Sequence, residues 1–275
     1  MEIRIFDVEH GFCAYVIGDN RNVMLIDCGH NEKTGFRPSD YLQKKGCTGI
    51  ENFVVSNYDE DHISDLPNLC ELPKQQNGYN FIQTLGRNKS ISGEELRKLK
   101  LKSGPIAPGM ESLLAMIKTY THEVPTPSLG QDSQIKYFQN SYPDFEDTNN
   151  LSLVTFLHYH GIHLIFPGDL EKSGWLALLE RKEFQEELEK INLFIASHHG
   201  RISGYCEEVF NYCKPQLIII SDESKQYDAQ DVDYSKHASG VKFGDNNRYL
   251  LTTRNDGMIT ISQKPGEGPK IGMQY

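Results

Sequence analysis

The sequence lacks any apolar segment long enough to cross a membrane. No run of about 18 apolar residues occurs in its 275 positions, although 38% of the residues are hydrophobic. The first residues, MEIRIFDVEHGFCAYVI, alternate in the manner of strands and lack the basic and apolar stretches of a signal peptide. We therefore expect no membrane association, and a cytoplasmic protein with enough apolar material for a core.

Paired cysteines and excess positive charge are also missing. The six cysteines show no Cys-x-x-Cys spacing, which argues against a zinc–thiolate site and favours reduced, buried thiols. Lys and Arg total 28 against 38 Asp and Glu, a formal net charge of -10. A chain this acidic lacks the broad basic surface of a protein that binds duplex nucleic acid.

Short apolar strands alternate with helical segments along most of the chain. Strands are predicted at residues 3–8, 12–17, 23–26, 53–56, 193–196 and 217–221, and helices at 39–45, 173–190 and 204–213. Two β-hairpins are predicted as well, one turning at His160 and Gly161 and one at residues 255–257. This alternation indicates a layered α/β fold, and we expect residues 1–275 to form a single domain.

The segment 77–149 differs from the rest of the chain because it is mostly polar. Helices are predicted within it at residues 93–102 and 111–120. We interpret it as an insertion or cap that shapes the entrance to a substrate site, or alternatively as a surface embellishment. In the first case its basic residues would attract phosphate groups toward the site, as a phosphate funnel. In the second they would form a solvated helix face. They are Arg87, Lys89, Arg97, Lys98, Lys100 and Lys102.

Residues able to bind a metal follow four of the predicted strands. They are Asp27, Asp59, Asp61, His62, Asp169, His198 and His199. Strand ends at one edge of a sheet converge in space, and ligand sites gather there. Taken singly, each position has an ordinary interpretation as a turn carboxylate, a helix cap or part of a solvated acidic loop. Together they predict a site in which a cation offsets the clustered carboxylates.

Six short motifs, in a fixed order, resemble those of one known family. In this sequence they are DVEHGFCAYVI, LIDCG, SNYDEDHIS, NNLSLVTFL, PGDLE and SHHG. The set resembles the metallo-β-lactamase fold, and within it the competence-type hydrolase branch found in DNA-uptake channel proteins and stand-alone hydrolases. The resemblance covers most of the chain outside segment 77–149. It implies a four-layer αββα sandwich that holds one or two divalent metals, usually zinc and in some branches manganese.

The resemblance also implies positions for the metal ligands. The branch motif Ser-His-x-Asp-x-Asp-His is matched at Ser56, Asp59, Asp61 and His62. Asn57 stands where that motif has its first histidine. Asn149 and Asn150 lie about where two-zinc members of the family have a further histidine ligand. Both missing histidines belong to the same metal subsite.

The matched positions imply two unequal metal subsites. Asp169 matches the metal-bridging carboxylate of the family, and His198 or His199 matches its last histidine ligand. The firmer subsite has nitrogen and oxygen donors that suit zinc with an open position for water, and it comprises Asp61, His62, Asp169 and His198. The weaker subsite has only oxygen donors, which suit manganese or magnesium, and it comprises Asn57, Asp59 and Asp169, with Asn150 nearby.

The expected chemistry is hydrolysis by a water that a metal activates. Asp59 or Asp61 would orient the hydroxide, and His199 would contact a phosphate or protonate the leaving group. Asn150 and His237 are expected near the substrate, although His237 is alternatively a plain surface histidine.

The function that the resemblance favours is hydrolysis of phosphodiester bonds, by a nuclease or a small-nucleotide phosphodiesterase. The acidic balance favours a phosphate-bearing small molecule or a single-stranded nucleic acid as the substrate. Two alternatives stay open: a degenerate, non-catalytic member that binds a nucleotide or partner, and a thioester or lactam hydrolase. Partner proteins of a multi-gene system are an expectation from fold-level association alone.

Overall fold

The computed structural model describes residues 1–73, 80–122, 124–223 and 229–274. Within these ranges the strands are β1 (Glu2–Ile5), β2 (Ala14–Ile17), β3 (Val23–Ile26), β4 (Ile50–Val54), β5 (Ile82–Gly86), β6 (Gln134–Gln139), β7 (Leu153–Tyr159), β8 (Ile162–Phe166), β9 (Leu193–Ile195), β10 (Leu217–Ile220), β11 (Val241–Phe243), β12 (Asn246–Arg248), β13 (Leu250–Thr252), β14 (Met258–Ser262) and β15 (Lys270–Gln274). The helices are α1 (Pro38–Lys44), α2 (Glu60–Ile63), α3 (Leu66–Cys70), α4 (Gly93–Leu101), α5 (Pro108–Thr119), α6 (Lys172–Leu179), α7 (Lys182–Leu188), α8 (Asp231–Ser235) and α9 (Thr253–Asp256). None of the helices in these ranges is long and apolar enough to span a bilayer.

Two large sheets carry the fold. The first has the strand order β15-β14-β1-β2-β3-β4-β5, and the second has the order β13-β10-β9-β8-β7-β6. In the first sheet β3, β4 and β5 run parallel, and in the second β8, β9, β10 and β13 run parallel. Because parallel strands end at the same edge, the loops that follow them meet on one side of the sandwich.

The alternation of side chains along the strands divides the interior into three apolar layers. Met24 and Ile26 of β3 face the second sheet, whereas Val23 and Leu25 face the helices that cover the first sheet. On the far side, Trp175 of α6 packs against the outer face of the second sheet. The order is therefore helices, sheet, sheet, helices, and the predicted four-layer αββα sandwich is confirmed.

The described part of segment 77–149, the expected insertion or cap, is joined to the sandwich. Its strands β5 and β6 form an edge of the first and second sheets respectively. Leu96 of α4 and Leu113 of α5 share one core with Phe53 of β4. Edge strands and one-sided helices need few apolar residues, which explains the polar composition of this segment. Positions 77–79 of the predicted cap lie outside the described residues.

Two further predicted elements were wrong. The single helix at 173–190 is two helices, because Arg181 is extended and lets the chain turn between α6 and α7. The predicted hairpin at 255–257 is a crossover, since β13 pairs with β10 while β14 pairs with β1. The carboxylate of Asp256 accepts hydrogen bonds from the Thr252 amide and the Arg248 guanidinium, which holds α9 between the two sheets.

Candidate metal centre

A buried carboxylate at the end of β3 orients the first histidine of the site. Asp27 is fully buried, and it accepts hydrogen bonds from the Ser56 amide (2.7 Å) and the Ser56 hydroxyl. His62 Nδ1 lies 2.7 Å from Asp27 Oδ2. An ionised carboxylate only accepts, so Nδ1 carries the hydrogen, and Nε2 is the atom of His62 left for a metal.

Close backbone packing fixes the loop that carries Asp61 and His62. The Cys28 amide donates to the His62 carbonyl at 2.7 Å, which ties α2 to the end of β3. A Cβ at Gly29 would lie 2.3 Å from the Asp61 carbonyl oxygen, and one at Gly11 would lie 2.4 Å from it. Any larger residue at either position would push this loop away, because real Cβ atoms do not approach so closely.

The second sheet contributes Asp169, just beyond β8. Its amide donates to Ser152 Oγ at 3.1 Å, which fixes the backbone at this point. Its Oδ1 lies 3.0 Å from His62 Nε2 and 3.5 Å from His199 Nε2. Asp169 therefore lies between two imidazoles that come from different sheets.

His199 reaches the site through an unusual turn after β9. His198, His199 and Gly200 have φ values of 49°, 54° and 74°, a left-handed conformation that is costly for the two histidines. A Cβ at Gly200 would lie 2.9 Å from the Ile220 side chain. His199 Nδ1 donates to the Ser221 carbonyl at 3.0 Å, and this bond leaves Nε2 facing the site, 3.4 Å from Asp61 Oδ2.

Four ligand atoms from three parts of the chain thus meet within 4.8 Å of one another. They belong to Asp61, His62, Asp169 and His199. Three of these atoms, His62 Nε2, Asp169 Oδ1 and His199 Nε2, are buried without a hydrogen-bond partner. Buried polar atoms rarely lack a hydrogen-bond partner, so the convergence of these three atoms indicates a cation-binding site. Two imidazole nitrogens and two carboxylates suit a divalent transition metal such as zinc, manganese or iron.

The electrostatics of the cluster support the same conclusion. Burial opposes charge on the two histidines, but Asp169 outweighs it, raising the pKa of His62 well above its ordinary value and that of His199 to about 9. Burial likewise opposes ionisation of Asp61, yet His199 and His62 lower its pKa to about 2. Without a metal, protons on the two imidazoles would balance the two carboxylates, and a divalent ion would take the place of those protons.

The expected ligand His198 is replaced by its neighbour. Its Nε2 lies 3.9 Å from Asp169 Oδ2, and its Nδ1 lies 2.9 Å from Ser203 Oγ and 3.5 Å from Glu171 Oε1. The left-handed turn separates the two rings and points the more buried one, His199, into the cluster. His199, predicted as a catalytic group, therefore contributes one of the four clustered ligand atoms, and His198 does not.

The weaker subsite is not assembled around Asn57 and Asp59. Asn57 Oδ1 accepts from the Asp59 amide at 2.7 Å, and its amide group donates to Ser152 Oγ at 3.1 Å. The Asp59 carboxylate lies 2.7 Å from Lys100 Nζ and 2.8 Å from Thr148 Oγ1. Lys100 therefore supplies the positive charge that a second metal was expected to provide.

The two predicted substrate-binding residues serve other parts of the fold. Asn150 is buried, and it accepts from the Gly174 amide at 2.9 Å and donates to Asp147 at 3.1 Å. The His237 ring stacks on Phe210 with centroids 4.0 Å apart, and its Nε2 lies 2.8 Å from the Tyr205 hydroxyl. These bonds hold both side chains in place as packing elements.

The basic residues of the expected phosphate funnel are largely neutralised. Four of them pair with carboxylates: Arg97 with Glu111, Lys98 with Glu94, Lys100 with Asp59 and Lys102 with Glu146. The guanidinium of Arg87 donates to the carbonyl oxygens of Asn88 and Ile91. This agrees better with a paired helix face than with a funnel.

Two further residues lie beside the cluster, and of these Arg201 was not predicted from the sequence. His10 Nε2 lies 3.5 Å from Asp61 Oδ2, and the His10 ring lies against that of His199 with centroids 4.4 Å apart. Arg201 Nη2 donates to His10 Nε2 at 3.1 Å. Burial and the neighbouring His199 lower the pKa of His10 to about 4, so His10 is neutral and accepts this bond. Position next to Gly200 was the only sequence signal for Arg201.

Comparison with known proteins gives likenesses in structure and sequence. No family model matches the chain. The crystal structure of a diphosphatase from the PhnP family superposes with a TM-score of 0.50 at 11% identity, covering 94% of this chain and 97% of that one. Igni18, a metallo hydrolase from the archaeon Ignicoccus hospitalis, superposes with a TM-score of 0.48 at 12% identity, covering 96% and 100%. ComE operon protein 3 of Bacillus subtilis is 23% identical over 189 residues, covering 66% of this chain and 21% of that protein.

The chain has the metallo-β-lactamase fold, as its motifs predicted. The sequence likeness to ComE operon protein 3 agrees with the predicted competence-type branch. The chain spans about a fifth of the length of that relative, since the match covers 21% of it.

Proposed function

We propose that this protein is a metal-dependent hydrolase that cleaves phosphodiester bonds. The observation that carries the proposal is the convergence of His62 Nε2, Asp169 Oδ1 and His199 Nε2, all buried and without a hydrogen-bond partner, beside the partly exposed Asp61. A cavity of about 10 Å³, about the space of one water molecule, lies against the same three residues. The sequence resemblance and the diphosphatase of similar fold favour a phosphate ester as the substrate.

The chain's own residues prepare the site for hydrolysis. A divalent ion held by the four ligands would supply Lewis acidity and a water of lowered pKa. Asp27 and the Ser221 carbonyl keep hydrogens on the Nδ1 atoms of His62 and His199, so both Nε2 lone pairs face the centre. The Asp61 side chain is 24% exposed, so its carboxylate would accept a hydrogen bond from a water that enters from solvent and would orient that water.

One metal per chain is the arrangement that the contacts support. A second ion on Asp59 would have to displace Lys100 and Thr148, and the Asn57 oxygen already accepts a hydrogen bond from the Asp59 amide. Since the chain is acidic and four basic residues of the expected funnel are paired, we infer that the substrate is small or single-stranded rather than duplex. A nuclease acting on short strands and a small-nucleotide phosphodiesterase both meet this condition.

Hydrolysis of bis(p-nitrophenyl) phosphate, with zinc or manganese added, tests the proposal. We expect turnover by the native chain and a loss of at least about 100-fold in His62→Ala, because a ligand and its orienting pair are removed together. His122→Ala is the matched control, since His122 is an exposed histidine outside the cluster. Activity that survives both Asp61→Ala and His62→Ala would refute the proposed mechanism.

A further inference from the structure

Arg201 lies at the mouth of the candidate metal centre, one residue beyond the turn that carries His199. Its amide donates to the His198 carbonyl at 3.0 Å, which anchors its backbone to that turn. Its guanidinium Nη2 donates to His10 Nε2 at 3.1 Å. His10 in turn lies 3.5 Å from the Asp61 carboxylate. The guanidinium is therefore one side chain removed from a metal ligand.

Within the described part of the chain, Arg201 differs from the neighbouring cations Lys33 and Lys100 in having no acidic partner. Lys33 pairs with Glu9 at 2.5 Å, and Lys100 pairs with Asp59 at 2.7 Å. Among residues 1–73, 80–122, 124–223 and 229–274, no carboxylate oxygen lies within 4.0 Å of the Arg201 guanidinium. A divalent ion on Asp61 and Asp169 would balance their two charges, and the positive charge of Arg201 would then remain beside the centre.

We propose that Arg201 is a substrate-binding residue that holds the non-bridging oxygens of the phosphate next to the metal centre. This inference rests on the proposed function and names the group that recognises its anionic substrate. A guanidinium is always charged and presents its donors in a planar fork that matches two phosphate oxygens. His10 positions the guanidinium by accepting a hydrogen bond from it, which leaves the other N–H donors of Arg201 for the phosphate.

Binding of inorganic phosphate to the manganese-loaded full chain, followed by isothermal calorimetry, tests Arg201 without requiring turnover. We expect Arg201→Met to weaken phosphate binding about tenfold or more, and Arg201→Lys to weaken it less, because lysine keeps the charge without the fork. The matched control is Lys182→Met, which removes the same charge from a side chain that is 86% exposed on α7. We expect this control to bind phosphate as the native chain does.

Metal content and thermal melting of each variant complete the experiment. Equal phosphate affinity in native and Arg201→Met protein would overturn the inference, as would loss of the metal in that variant. If Arg201→Met does not fold, Arg201→Gln, which keeps a donor for His10, takes its place with the same expected result. If phosphate binding depends on Arg201 but the protein does not hydrolyse phosphodiesters, only the proposed function is refuted. If the protein hydrolyses phosphodiesters and binds phosphate equally well without Arg201, only this inference is refuted.

Discussion

The substitution Asp27→Asn tests whether a residue that touches no metal nevertheless controls the metal centre. Asp27 is fully buried at the end of β3, and it accepts from the amide and hydroxyl of Ser56 and from His62 Nδ1. An asparagine has nearly the same shape but keeps only one accepting oxygen. One of these contacts would then meet an NH₂ group, and the hydrogen of His62 would no longer be fixed on Nδ1.

The expected effect on metal binding is larger than the effect on folding. Loss of a carboxylate that orients a histidine ligand typically lowers metal affinity about 10–100-fold, which is about 1.4–2.7 kcal/mol. Folding changes less, because burial raises the pKa of Asp27 and the neutral amide avoids the cost of a buried charge. The change should therefore appear in the affinity for zinc while the metal-free melting temperature stays close to that of the native chain.

Competition for zinc with a chromogenic chelator measures this affinity directly. Asp65→Asn is the matched control, because Asp65 is also fully buried and accepts from the Ser39 amide at 2.8 Å and from Arg37 at 3.1 Å. We expect Asp65→Asn to lower stability and to leave zinc affinity unchanged. The reasoning would be refuted if Asp27→Asn bound zinc within about threefold of the native chain, or if both variants lost affinity equally.

Three further predictions follow from the contacts of the cluster. His199→Gln should lose the metal while His198→Gln retains it, as elemental analysis of the purified variants would show. The opposite result would identify His198, the residue expected from the sequence, as the ligand. Zinc affinity should rise with pH up to about 9, by about tenfold per pH unit for each proton released, because the raised pKa of His199 means that its ring must lose a proton before it can bind. Chelator competition at pH 6, 7 and 8 measures this dependence. An affinity that does not change with pH would contradict it. Asp59→Asn should leave the number of bound metals unchanged, because its carboxylate faces Lys100; equilibrium dialysis against manganese would reveal any lost ion.

Much of the candidate site could be predicted because it depends on how strands end. Asp61, His62 and Asp169 each follow an apolar strand, and the parallel pairing of β3 with β4 and of β8 with β9 carries them to one edge. The apolar runs themselves identified most strands and the layered arrangement. Polar residues that follow several apolar strands therefore predicted that their side chains would meet at one site.

The remaining features depend on contacts between distant parts of the chain. The choice between His198 and His199 follows from a left-handed turn and from the Ser221 carbonyl, and neither is visible in the letters SHHG. Asp59 was expected to bind a second metal, but Lys100 reaches it from 41 residues away. A side chain's partner across the fold can change its role without any change in its own motif.

The metal content of the native chain and of Asp169→Asn, purified without chelator and measured by mass spectrometry, tests the central claim most directly. The account predicts one firmly held divalent ion per native chain, and none in the variant, because Asp169 touches both His62 and His199. Two tightly held ions in the native chain, or a variant that keeps its ion, would contradict it.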